Sequence, residues 1–385
     1  MSDVSVDAII ADIEAWAAIE SPTDQPECVN DMISHVEALH RDLGMDVERI
    51  AGFGRRGDKL IARAPWGNRG EPGILVISHI DTVHALGTLE RFPIRRCGDR
   101  LEGPGVFDMK GGGCMAVEAA RAILRSRAQP SLPLTFLYVP DEEMGSQTSR
   151  QIIAEQSRAA RYVLVAEGTE ALGSVVTSRT GSLKFDLDVQ GVSAHSGVDH
   201  RRGRSALREL AHQILALEAM TDYDRDITVN MGTASGGTRA NVVPETAAAR
   251  VDVRVTTKAN AEEMLARITE MAAVSPDLSV QYKGGIWRLP YEMTDSIAGL
   301  LRAAQVVAMR IGFELSGGRG RGGSDANLVA PHAAVLDGLG PVGGGAHTIE
   351  EWIDLTSLRQ RTELLRDLIL ELKLHALHCY LLAAA

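Results

Sequence analysis

Apolar positions follow two different periods along this chain, and the periods divide it. Residues 4–19 and 28–43 carry apolar side chains at helical spacing, with Ser21 and Pro22 between them. Short strands come next. DKLIARAP (58–65) is followed by a break over 66–72. GILVISHID (73–81) is continuous and rich in β-branched residues, as in a strand buried on both faces of a mostly parallel sheet. The glycine-rich turn GPGVFDMKGGG (103–113) predicts entry into a helix over 114–127. LPLTFLYVP (132–140) is a further buried strand ending in DEEMGS (141–146). A helix near 147–157 and the strand RYVLVAEGTE (161–170) continue the alternation that marks an α/β domain.

Near residue 180 the period becomes two. SLKFDLDVQG (182–191) alternates apolar and polar, which predicts an antiparallel strand with one wet face. A helix over 205–219, strands in DITVNMGTASGG (226–237) and TAAARVDVRVTT (246–257), a helix over 260–273 and the strand LSVQYKGG (278–285) complete the segment. This strand–helix–strand–strand–helix–strand unit of about 110 residues is the size of a small domain. From about 292 the first style resumes, with a helix over 293–311, the loop GGRGRGGSDAN (317–327), the strand AAVLDGLG (333–340), the loop PVGGGAHT (341–348) and a final helix over 355–382. The expected architecture is therefore a mostly parallel α/β domain, residues 1–178 and 290–385, with a smaller α+β domain, 179–289, inserted into it. A chain of 385 residues exceeds what one core usually serves, which agrees with two domains.

Composition narrows the function. Acidic residues outnumber basic ones, 51 to 40, for a net charge of −11, so a nucleic-acid partner is not expected. Aromatic residues are only 4%, too few for stacking platforms. No apolar run approaches the ~20 residues that span a bilayer, so no membrane partner is expected either. MSDVSVDAIIADIEAW lacks a basic leader and reads as an amphipathic helix, not a signal peptide. Cys28, Cys97, Cys114 and Cys379 are scattered, which suits a reducing, cytoplasmic setting.

Ionisable groups recur at the ends of the buried strands: His79 with Asp81, Asp108, Glu142 with Glu143, and Glu167, with His347 after three glycines. Open α/β sheets bind ligands at the carboxyl ends of their strands. Two histidines and several carboxylates converging there would suit a divalent metal, or two sharing a carboxylate. Such an oxygen-rich set accommodates zinc, manganese or cobalt. Taken singly, Asp108 or Glu167 reads as a helix cap or a surface carboxylate. His79 is harder to dismiss, because it follows Leu75, Val76, Ile77 and Ser78 and precedes Ile80. A buried imidazole needs partners for both nitrogens. Asp81, two residues on along an extended strand, can take the N–H and leave the other nitrogen for a metal. The acids at 141–143 read as a solvated turn on pattern alone. The functional reading has one glutamate ligate while its neighbour shuttles a proton.

Together these stretches resemble a known family. HIDTV (79–83), GPGVFDMKGG (103–112), DEEMGS (141–146), AEG (166–168), SAHSG (193–197), NVVP (241–244) and GGGAH (343–347) occur in the order of the di-zinc metallopeptidases that include glutamate carboxypeptidase, acetylornithine deacetylase and succinyl-diaminopimelate desuccinylase. The likeness spans almost the whole chain and is nearest the glutamate carboxypeptidase type. It implies a catalytic domain with an inserted dimerisation or lid domain. It further implies that Asp108 bridges two metals, that His79 and Glu167 complete one site, and that Glu143 and His347 complete the other. Asp81 then orients His79, Glu142 is the general base, and the Asp108–Met109 peptide is cis. His195 of a neighbouring subunit stabilises the oxyanion, and Asn241 and Arg288 grip a substrate carboxylate, although WRLPYE (287–292) has Leu289 where the family has a proline. The activity implied is hydrolysis of a C–N bond in a small carboxylate-bearing substrate by a metal-activated water, in a homodimer or higher oligomer holding one or two divalent metals, zinc first.

Two alternatives stand beside it. One is an aminohydrolase that releases ammonia from an amino-aromatic acid on the same metals, as in nitroanthranilate aminohydrolase. The other is a non-catalytic dimeric binding protein that retains the fold. Remaining candidates read as structural. GGRGRGGSDAN lacks the lysine–serine/threonine ending of a phosphate loop, and Asp325 within it has a structural reading. His375, His378 and Cys379 suit a solvated helix end. Met109, Met115 and Met144 suit packing, and His84 has no assigned ligand role.

Overall fold

The computed structural model describes residues 4–68, 70–275 and 277–373. His375, His378, Cys379 and the expected tail of the final helix lie outside these residues. The chain divides into two compact units. The first comprises Met1–Thr177, Met293–Arg319 and Ser324–Ala385; the second comprises Ser178–Glu292 and Gly320–Gly323.

The first unit is built on a six-stranded sheet in the order Asp46–Ile50, Lys59–Arg63, Leu134–Val139, Gly73–His79, Ala160–Val165, Ala334–Leu336. The last four strands run parallel, and the first two add antiparallel at one edge. Every residue of Gly73–His79 is buried, as its unbroken apolar run predicts. Helices Val6–Ala17, Gly111–Ser126, Asp295–Ile311 and Leu358–Glu371 pack together beside the sheet. Ile9, Ile13, Trp16, Met115, Val307 and Leu365 share one apolar cluster there. Each such fully buried side chain contributes about 1.5–3 kcal/mol. Ser5 and Thr294 cap their helices by accepting from Ala8 N and Ile297 N.

Three local expectations change. The helix after the glycine turn starts at Gly111, not Cys114, and ends at Ser126. Its first turn crosses so close to the Ala166 carbonyl that a Cβ on Gly112 would lie 1.7 Å from the oxygen. The three glycines therefore serve close packing, not a loop. The helix expected near 147–157 runs over Arg150–Arg158. Part of the expected loop 317–327 is a strand, Ser316–Gly320, paired with Ser174–Arg179. A further small sheet, Arg95–Cys97, Arg100–Glu102, Trp352–Asp354 and Gly343–Gly344, was not anticipated, because its strands are two or three residues long.

The second unit has a four-stranded antiparallel sheet in the order Thr228–Gly236, Thr246–Val255, Gly181–Gln190, Ser279–Arg288. Leu183, Phe185, Leu187 and Val189 point into a cluster shared with helices Ala206–Glu218 and Lys258–Thr269. Lys184, Asp186 and Asp188 face outward, as period two requires. Gly320–Gly323 join this unit: Thr180 N donates to the Gly320 carbonyl at 3.2 Å and Arg179 Nη1 to that of Gly322 at 3.0 Å. Among the described residues no helix is long and apolar enough to cross a membrane.

Candidate metal centre

The carboxyl ends of the parallel strands carry the chemistry. His79 closes Gly73–His79, Glu142 and Glu143 lie in the single helical turn after Leu134–Val139, and Glu167 follows Ala160–Val165. Asp108 lies in the turn before helix Gly111–Ser126, where its backbone leaves helical angles and the Asp108–Met109 peptide is cis. His347 sits between Gly343–Gly344 and Trp352–Asp354.

Asp108 stands between the two histidines, with one oxygen toward each. Its Oδ1 is 3.0 Å from His79 Nε2 and its Oδ2 is 3.0 Å from His347 Nε2. Glu167 Oε1 lies 3.8 Å from His79 Nε2, and Glu143 Oε2 lies 3.2 Å from His347 Nε2. The other nitrogen of His79 faces Asp81, but its nearer contact is the Asp81 main-chain carbonyl at 3.0 Å, with Oδ1 at 3.4 Å. Asp81 thus meets the ring with both its carbonyl and its carboxylate. That carboxylate also accepts from Glu142 N at 3.2 Å, Glu143 N at 3.3 Å and Thr23 Oγ1 at 2.7 Å. Asp81 thus fixes the turn that presents both glutamates.

The electrostatics follow from acids crowded in a buried place. Burial opposes charge on His79, yet hydrogen bonds to Asp108 and Asp81 and the nearby Glu167 outweigh it and hold the imidazole well above its usual range. Hydrogen bonds to Asp108 and Glu143 raise His347 to about 10. Burial works to raise Asp108, but bonds from His347 and His79 prevail and hold it well below the usual carboxylate range. Burial and the Asp108 charge push Glu167 up, with Glu142 adding to the repulsion; burial also pushes Glu143 up. Carboxylates that resist ionisation this way are relieved by positive charge. Ligand atoms of His79, Asp108 and Glu143 all lie within 4.8 Å of one another. This nitrogen and oxygen donor set fits a divalent transition metal.

Two groups missed in the sequence hold the site's backbone. Glu351 reads as half of an acidic pair in HTIEEW, yet it is fully buried and accepts from Gly105 N, Phe107 N and Asp108 N at 2.8, 2.8 and 3.0 Å. His84 Nε2 lies 2.8 Å from the same carboxylate. Arg361 is also fully buried and donates to the carbonyls of Gly340, Leu172, Ser174 and Gly338. It braces the segment whose Gly340 N donates to the Glu167 carbonyl at 2.8 Å. Asp325 accepts from the Ser146 hydroxyl, consistent with its structural reading.

His195, Asn241 and Arg288 belong to the second unit. His195 is exposed, and its Nδ1 accepts from Gly197 N and Val198 N, both at 3.1 Å. That tautomer leaves the proton on Nε2. Its loop pairs with that of Asn241, whose carbonyl accepts from Ser196 N at 3.0 Å. Arg288 is buried opposite Ser182, at the other end of strand Gly181–Gln190. That end is roughly 25 Å away along the strand at ~3.3 Å per residue. A concavity of about 800 Å³ on the outer face of this sheet is lined by charges already matched. Arg250 pairs with Asp186 at 3.2 Å, and Lys184 lies over the Trp287 ring at 4.5 Å.

The α/β sheet gathers acids and histidines fit for a divalent metal at its carboxyl ends, and likeness to known proteins makes the chain a metal-dependent hydrolase acting on C–N bonds. Residues 75–371 match the model of Peptidase family M20/M25/M40, and the chain belongs to that family. It is 27% identical over 372 residues to Carboxypeptidase G2 of Pseudomonas sp. (strain RS-16), covering 95% of this chain and 89% of that protein. It is 29% identical over 382 residues to succinyl-diaminopimelate desuccinylase of Magnetococcus marinus, covering 92% and 96%. Among solved structures it resembles the Bacillus subtilis YXEP protein, described as a dinuclear metal binding peptidase of the M20 family. The TM-score is 0.69 at 14% identity, over 95% and 97% of the two chains.

Proposed function

We propose that this enzyme hydrolyses an amide C–N bond in a small carboxylate-bearing substrate, an N-acyl amino acid or acyl-glutamate, using two divalent metals. The observation that carries the reading is Asp108, with one oxygen 3.0 Å from each of His79 and His347. In this reading Asp108 is shared, His79 and Glu167 complete one site, and Glu143 and His347 complete the other, with zinc preferred over manganese or cobalt. The metals supply Lewis acidity and lower the pKa of bound water. Glu142 accepts the proton of the attacking water and returns it to the departing nitrogen. The Nε2–H of His195 donates to the developing oxyanion. Asn241 and Arg288 hold the substrate carboxylate, Arg288 through its planar fork.

A homodimer supports this division of labour. Within one chain, Arg288 and the His195–Asn241 loops lie at opposite ends of one strand, so a single substrate would take them from different subunits. The carboxypeptidase and desuccinylase names of the relatives, and the dinuclear description of the solved neighbour, agree with the substrate class and the metal count.

The test is Glu142→Ala. Turnover of N-acyl amino acids should fall by ~100–10,000-fold while metal content stays at the wild-type level. Wild-type turnover in this variant would overturn the role of Glu142. Ammonia release from an amino-aromatic acid, with no cleavage of acyl-glutamates, would overturn the substrate class.

A further inference from the structure

Glu351 lies four residues beyond His347 and is fully buried, yet among the described residues its carboxylate is hydrogen-bonded to no lysine or arginine. What it faces are three main-chain N–H groups and one imidazole. Oε1 accepts from Phe107 N and Asp108 N; Oε2 accepts from Gly105 N and meets His84 Nε2. Its own carbonyl accepts from Gly103 N at 3.2 Å. These contacts join three loops. His84 belongs to the loop that follows His79 and Asp81, Gly105–Asp108 carries Asp108, and Glu351 belongs to the turn that carries His347.

The arrangement is costly unless it is complete. Three N–H groups converge on one buried carboxylate, and removing it would leave each without that acceptor in a place water does not reach. Gly105 sits at φ +74°, so the loop bends sharply where Glu351 holds it. Both Glu351 oxygens are already engaged by these donors.

We infer that Glu351, steadied by His84, is the positioning residue of the metal centre: it sets the backbone from which Asp108 reaches both histidines. The inference rests on the metal-centre reading above. Glu351 touches neither substrate nor metal and acts only through Asp108.

The test compares Glu351→Gln with wild type in a competitive chelator titration with zinc, alongside steady-state kinetics. The amide turns an N–H group toward backbone donors and loses one acceptor. Zinc affinity should weaken by ~10–100-fold, the scale for lost outer partners of metal ligands. At saturating zinc kcat should fall with KM nearly unchanged, because the substrate grip is elsewhere. His84→Ala and His84→Gln form the second arm, which keeps the test open if Glu351→Gln does not fold. His84→Ala should weaken zinc binding, and His84→Gln, whose amide N–H reaches the same oxygen, should restore it. A folded Glu351→Gln protein with wild-type zinc affinity and kcat overturns the inference, as does wild-type affinity in His84→Ala. A wild-type protein that binds no divalent metal overturns the metal-centre reading instead, so the two failures are distinct.

Discussion

Gly112→Ala should damage this enzyme although it adds one methyl to a helix. By helix propensity alone alanine is favoured over glycine by about 1 kcal/mol. Packing reverses the sign. The new Cβ would lie 1.7 Å from the Ala166 carbonyl oxygen, with the Ala166 carbonyl carbon at 2.8 Å and its Cβ at 3.1 Å. Ordinary contact begins at 3.4 Å, so helix and strand end must part by about 1.7 Å. The obstacle is backbone, which has no rotamer to yield. Overpacking of this kind costs about 1–3 kcal/mol, more than the propensity gain. The shift also falls between two proposed ligands, since Ala166 precedes Glu167 and Gly112 lies in the first turn of the helix that follows Asp108. A misplacement on the order of 1 Å can cost about 100-fold in rate. Denaturant unfolding should show a lower midpoint at constant slope, and kcat should fall at saturating metal. Wild-type midpoint and wild-type kcat together would refute the packing account.

Three further outcomes follow from the titratable groups. Chelation should abolish turnover, and zinc, manganese or cobalt should restore it. Metal affinity should rise with pH between 6 and 8, because a cation must displace the protons that His79 and His347 hold, the latter to about 10; affinity independent of pH in calorimetry would contradict this. Away from the site, burial pushes His40 down to about 3, and it sits 2.7 Å from the Tyr138 hydroxyl. The unfolded chain binds a proton at His40 below its ordinary 6.5, while the native chain resists until about 3. This group therefore takes away stability as pH falls through that window, at about 1.4 kcal/mol per pH unit. His40→Gln should flatten the acid limb of the stability curve, and an unchanged slope would show that the loss lies elsewhere.

The sequence by itself determined the layers and put the candidate site residues at the strand ends. The β-branched apolar run to His79 pointed to a strand covered on both faces, and the switch to period two at SLKFDLDVQG marked a sheet with one wet face. Such patterns are local, because side-chain direction repeats every two or 3.6 residues whatever the rest of the chain does. Strand ends bearing His79, Glu142, Glu143 and Glu167 were legible for the same reason. What only the tertiary structure decided are contacts between residues far apart in the chain. No local period distinguishes Glu351 from its neighbour Glu350, yet one is buried against Gly105, Phe107 and Asp108 and the other is exposed. Gly112 reads as loop because glycine disfavours helices, and the nearby Ala166 carbonyl makes glycine the residue that fits. Arg361 carries charge in a helix of mixed character, and its burial depends on four carbonyls from two other segments. Short-range periodicity encodes which face of an element is apolar; it does not encode which distant backbone groups need a partner.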